Sequence, residues 1–170
     1  MTAASFQSVV NVNLGFGIPG ELIVDGPQRV DSLTLDSNGG TIGLAFTKSN
    51  STNIATQGGT ITSGSTVFAG ILVNPKAYAS YGAVGGAPLD PTMFLSANSQ
   101  GEFMTMGTIV VSLTGAANIG DWIQYNTTTG VLSAVAPGSS ATTGNALIPN
   151  CVVWNYPISG AGLTAIRITD

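Results

Sequence analysis

Asp121 to Val135 reads DWIQYNTTTGVLSAV, two short apolar runs meeting across an Asn/Thr/Gly cluster. Trp122 and Ile123 anchor one predicted strand, Asn126 to Gly130 make the turn, and Val131 to Val135 return antiparallel, because Asn and Gly supply the backbone geometry that joins two strands. Working outward, runs of the same kind recur: QSVVNVN, ELIVD, RVDSLTL, TIGLAFT, TVFAGILV, GEFMTM, TIVVSL, ALIPNCVVW and LTAIRIT. They are rich in Val, Ile, Thr and Phe and are punctuated by Gly, Pro, Asn and Ser, which is the pattern of strands and turns. No window of a dozen residues places apolar side chains at i, i+3, i+4 and i+7 without Gly or Pro. About ten such runs in one chain predict an all-β, single-domain jelly-roll-like sandwich or barrel with little helix and one core.

Long Gly/Ser/Thr-rich loops are expected at Ser49 to Ser65 and at Pro137 to Gly144, and a third loop at Gly82 to Pro91. Met1 to about Gly20 reads either as an edge strand or as an extended arm reaching another subunit.

The composition narrows the function. Of 170 residues only 7% are charged, while 44% are hydrophobic and Gly numbers 23, against roughly 25% charged residues in ordinary soluble domains. Such a surface repels its neighbours weakly, which points to assembly. The net charge is −4, and the cations are Arg29, Lys48, Lys76 and Arg167, too few to hold a nucleic-acid backbone. The start, MTAASFQSVV, has neither the positive nor the apolar region of a signal peptide, and the longest apolar runs fall far short of the ~20 residues of a membrane span. Synthesis in the cytoplasm without passage through a bilayer is therefore expected. Cys151, the single cysteine, sits in an apolar run and reads as a small buried hydrophobe.

Candidate chemistry is sparse. GFGIPG, Gly15 to Gly20, matches the G-x-G-x-x-G dinucleotide fingerprint, but that motif needs a helix directly after it, and here ELIVDGPQRV follows. Gly15, Gly17 and Gly20 therefore read as turn glycines. There is no histidine, which removes Ser-His-Asp and Cys-His catalysis and the common zinc sites. The eight acids show no calcium-loop spacing, Asp25, Asp90 and Asp121 look like turn formers, and no G-x-S-x-G elbow occurs. No catalytic residue, cofactor or metal is assigned. Asn50 and Asn126 lie in glycosylation sequons that read as products of Asn/Thr-rich turns, and Lys76 as a residue lying over an aromatic or paired with an acid. Trp122, Tyr125, Trp154 and Tyr156 are candidates for a sugar-stacking platform, with strand packing as the plainer reading.

Four segments, FQSVVNVNLGFGIPGELIVDGPQRV, VFAGILVNPKAYASYG, GEFMTMGTIVVSLTGAANIGDWIQYNTTTGVL and ALIPNCVVWNYPISGAGLTAIRITD, taken in order, resemble the structural cement proteins of tailed bacteriophages. The resemblance covers most of the chain and weakens in the loops near Asn50 and Gly85. It implies a non-enzymatic, β-rich, jelly-roll-like protein on the outside of a capsid built from an HK97-type major capsid protein, clamping neighbouring capsomers as a homodimer or trimer. Contact residues are not a family motif. The expected ones are Phe6, Val10, Leu14 and Phe16 as an arm, and Tyr78, Tyr81 and Met93 near the long loops. The alternative from the residues themselves is a glycan- or receptor-binding β module of a phage fibre or surface adhesin.

Overall fold

The computed structural model describes residues 17–75 and 93–169. Twelve strands run in chain order, β1 (Leu22–Ile23), β2 (Arg29–Leu35), β3 (Gly40–Thr41), β4 (Ala45–Ser49), β5 (Ile54–Gln57), β6 (Thr66–Leu72), β7 (Phe94–Leu95), β8 (Gln100–Leu113), β9 (Trp122–Asn126), β10 (Leu132–Val135), β11 (Asn145–Asn155) and β12 (Gly162–Ile168), with no helix among the described residues. The fold is all-β and barrel-like, as the spacing of apolar runs predicts.

Its organising element is β8. Nine strands of a ten-stranded sheet follow the order β10-β9-β11-β12-β8-β2-β5-β4-β6, the tenth, β1, pairs with β8 beside that path, and both ends of the path return to β8. One ring, β8-β2-β5-β4-β6, closes where Ile71 pairs with Met104 and Leu72 with Phe103. The other, β8-β12-β11-β9-β10, closes through a parallel pairing of Leu132 with Leu113. Closure removes open strand edges, which are otherwise sites of unwanted pairing.

The single core expected from chain length is divided by the wall that the rings share. On β4, β6 and β8, consecutive residues point to opposite faces of the sheet. Phe46, Leu72 and Phe103 enter one cluster with Leu33, Leu35 and Ala55. Their neighbours Ala45, Ile71 and Met104 enter the other with Ile109, Val111, Tyr125, Ile148 and Ile166. Strands buried on both faces read as unbroken apolar runs rather than alternations, which is why the buried AGILV end of VFAGILV, Ala69 to Val73, lacks a polar face.

Sequence and structure part at several places. GEFMTM and TIVVSL are two halves of one 14-residue strand, because Gly107, at φ 128, bends the backbone without ending it. TIGLAFT is instead divided, Thr41 ending β3 and Ala45 starting β4, around Gly43 at φ 81. The loop expected from Ser49 to Ser65 contains β5, where buried Ala55 faces the core and Ile54 is exposed. Pro137 to Gly144 is the exposed loop expected, tied down by Gln124, whose Oε1 accepts from the Thr142 amide at 2.9 Å. Gly82 to Pro91 lies outside the described residues.

The hairpin of β9 and β10 forms as read, with Leu132 opposite Tyr125 and Val135 opposite Trp122. The Asn126 Oδ1 accepts from the amides of Thr128 and Thr129 at 3.0 and 2.9 Å. Asn126 of the second sequon is thus a turn-building residue. Ile123 anchors the strand as read, joined by Tyr125, both fully buried, whereas Trp122 is 37% exposed and its reading as an anchor is corrected. The Tyr125 hydroxyl donates to the Gly59 carbonyl at 2.9 Å, and burial pushes its pKa up to about 12. Cys151 is buried as expected, and burial raises its thiol pKa, so the thiolate is suppressed.

Candidate functional site

The described end of the glycine fingerprint is a turn. Ile18, Pro19, Gly20 and Glu21 close it through a bond from the Glu21 amide to the Ile18 carbonyl at 3.1 Å, with Pro at the second position and Gly20 at φ 80 at the third, the geometry of a type II turn. The chain then enters β1, antiparallel to β8, so no helix N-terminus is offered to a phosphate. Gly15 lies outside the described residues. Asp121 is the turn former expected, its Oδ2 accepting from the Asn118 amide at 2.8 Å. Among the described residues, no three His, Cys, Asp or Glu side chains gather as metal ligands.

Of the expected contact residues, Phe6, Val10, Leu14, Phe16, Tyr78 and Tyr81 lie outside the described residues, as does Lys76. Met93 is partly buried and packs against the Phe46–Phe103 cluster, and its carbonyl accepts from the Ile42 amide at 2.7 Å.

The side chains with most capacity for recognition stand on the outer face of the second ring. Register aligns Trp122 with Val152, Val152 with Arg167 and Arg167 with Thr108 across β9, β11, β12 and β8. Two residues beyond Val152, at a bulge in β11, the Trp154 ring lies beneath the Arg167 guanidinium, 3.5 Å from centroid to Cζ. Arg167 Nε donates to Thr108 Oγ1 at 3.1 Å, and its Nη2 pairs with Asp25 Oδ2. The arginine is therefore held by a ring, a hydroxyl and a carboxylate. Beside it is a cleft of about 280 Å³ lined by Asp25, Gly26, Pro27, Met106, Thr108 and Thr169, among others.

Partial desolvation is the largest single influence on Asp25 and opposes its ionisation, but hydrogen bonds from Thr108 and Arg167 and the Arg167 charge together outweigh it, holding the carboxyl below its ordinary 3.8. A depressed folded-state pKa contributes stability above the unfolded value and loses it as pH falls through the folded one. Acid melts from about pH 5 to about pH 2 should accordingly show a steeper loss of Tm for the natural chain than for Asp25→Asn, by a small margin because the pair is part-exposed. Parallel curves would mean that Asp25 gains nothing from Arg167.

Sequence reading missed this cluster, since Asp25 and Arg167 are 142 positions apart. The four-aromatic platform also needs correction. Tyr125 is fully buried, while Trp122, Trp154 and Tyr156 are 37%, 44% and 46% exposed. One face of Trp154 is covered by Arg167, so a sugar cannot stack on that face.

A family model described as structural cement protein (E217 gp24/Pam3 gp6) matches residues 6–169. The chain belongs to the structural cement protein family. It is a bacteriophage structural protein that associates with the capsid and resides in the virion. Among solved structures, this cement protein is similar to a chain in the structure titled "The capsid of Myoviridae Phage XM1", at 18% identity over 98% of each chain with a TM-score of 0.69. At that identity, the likeness establishes a shared fold. No curated protein sequence matches the cement protein significantly.

Proposed function

We propose that this chain is a non-enzymatic cement that binds the outside of an HK97-type capsid and clamps neighbouring capsomers, stabilising the expanded shell. The observation that carries this reading is the family match across residues 6–169. Packaged DNA presses capsomers apart, and a ligand that binds the expanded shell better than other states stabilises that shell by mass action. A closed, double-ringed β scaffold suits the task because little of its bound conformation remains to be ordered on docking. A homodimer, with a trimer as the other closed arrangement, would present identical clamps to adjoining capsomers. Phe6, Val10, Leu14, Phe16, Tyr78, Tyr81 and Met93 remain the proposed contacts of the arm and loops, with synthesis in the host bacterial cytoplasm.

The test is co-sedimentation with purified shells before and after expansion. Strong binding to expanded shells and weak binding to the compact precursor is the expected result, and equal binding would overturn the expanded-seam mechanism. The second reading, a glycan- or receptor-binding module of a fibre, draws on the exposed Trp122, Trp154 and Tyr156. Copy number in virions separates the two: hundreds in simple ratio to the capsid protein for a cement, a handful for a fibre.

A further inference from the structure

Several exposed large apolar residues, such as Val24 near β1, Val67 on β6 and Phe94 on β7, lie on separate strands and loops. One corner of the second ring differs. There Ile119 is 59% exposed, and bonds from the Gly120 amide to the Val153 carbonyl and from the Val153 amide to the Asp121 carbonyl, both 2.8 Å, lay residues 119–122 along β11. Trp122, in register with Val152, and Trp154 complete the corner, and Tyr156 follows it, at φ 60 where the chain leaves β11.

Trp, Tyr and Arg are the residue types that most often carry binding energy between proteins. Here Arg167 is fixed in advance by Trp154, Thr108 and Asp25, so little side-chain freedom is lost on binding. The Asp25 carboxylate balances its charge, leaving a face suited to an apolar protein surface. Aromatic side chains present about 200 Å² each, so three of them a little under half exposed, with Ile119, offer roughly 400 Å², about half the ~800 Å² per partner of a stable complex. The corner is therefore the centre of a wider contact and not the whole of it, and for a chain whose family match over residues 6–169 ties it to the capsid the partner that meets it is the capsid protein.

We infer that Ile119, Trp122, Trp154 and Tyr156, with Arg167, form the hot spot through which this chain grips the capsid protein. The inference rests on the shell-binding reading above. Its test is titration of expanded shells lacking this chain with wild type, Trp122→Ala/Trp154→Ala, Ile119→Asp and, on the first ring, Val67→Ser, with thermal melts and sedimentation of each free protein. The tryptophan pair and Ile119→Asp should each bind at least about 30-fold more weakly with near-native melts, and Val67→Ser should bind as wild type. Ile119→Asp, on an exposed turn, decides the matter if the tryptophan variant unfolds. Wild-type binding matched by a folded corner variant overturns the assignment alone, as does a variant that changes the mass of the free protein instead, which would make the corner a self-contact. Wild type that ignores the shells overturns the shell-binding reading and the assignment together.

Discussion

Phe103→Ala is expected to lower stability by about 3–5 kcal/mol, the range for removing a large buried aromatic, and to lower Tm by roughly 6–20 °C for a chain of this size. Phe103 is fully buried, meets Phe46 edge-on with ring centroids 5.1 Å apart, and stands on the strand whose next residue, Met104, belongs to the other cluster. Both clusters lean on the same backbone, so a cavity on one side loosens the wall for both. Melting followed by tryptophan fluorescence, which reports the second ring because the chain's two tryptophans, Trp122 and Trp154, stand on β9 and β11, should therefore fall in one transition coincident with circular dichroism. Two separated transitions would show that the rings unfold independently and would overturn the shared-wall account.

Gly130→Ala should cost about 2–4 kcal/mol. Gly130 sits at φ 73, where an L side chain costs about 1–2 kcal/mol, and an added Cβ would lie 2.6 Å from the Ala45 carbonyl oxygen. That oxygen already accepts from Gly58, while the carbonyls of Thr127 and Gly130 accept from Gly59 and Ala45 at 2.7 and 3.0 Å, and Thr129 accepts from Gln57 at 2.7 Å. The tip of the β9–β10 hairpin is thus seated on the first ring, and the new methyl group would lift it off. Gly138→Ala is the companion measurement, since Gly138 has a similar φ of 82 with open space around it. It carries the backbone strain without the collision and should cost no more than about 1–2 kcal/mol. Equal losses for the two variants would mean that the hairpin tip is not pressed against Ala45.

Local rules made much of the fold legible. Asn126 and Gly130 mark their turn by side-chain and backbone chemistry that acts within a few residues, and Gly20 after Pro19 marks another. Closure was hidden, because pairing Leu132 with Leu113 or Leu72 with Phe103 depends on distant segments whose apolar residues are interchangeable by type. Gly107 misled for a related reason: a glycine that bends a continuous strand and one that ends it look alike until both neighbours of the strand are known. The candidate contact corner was half visible. Trp122, Trp154 and Tyr156 stood out by residue type, yet the exposure that distinguishes them from Tyr125 depends on which face of the sheet each occupies, and the Asp25–Arg167 pair arises from the fold alone.

The 14 residues of β8 amount to roughly 46 Å of extended chain, and both rings are laced to that one length. A pull between the rings is carried lengthwise by the covalent bonds of β8. To part them, its flanking ladders would have to slide in shear, with many hydrogen bonds strained at once rather than unzipped one after another, so the strand serves the molecule as a tension rod.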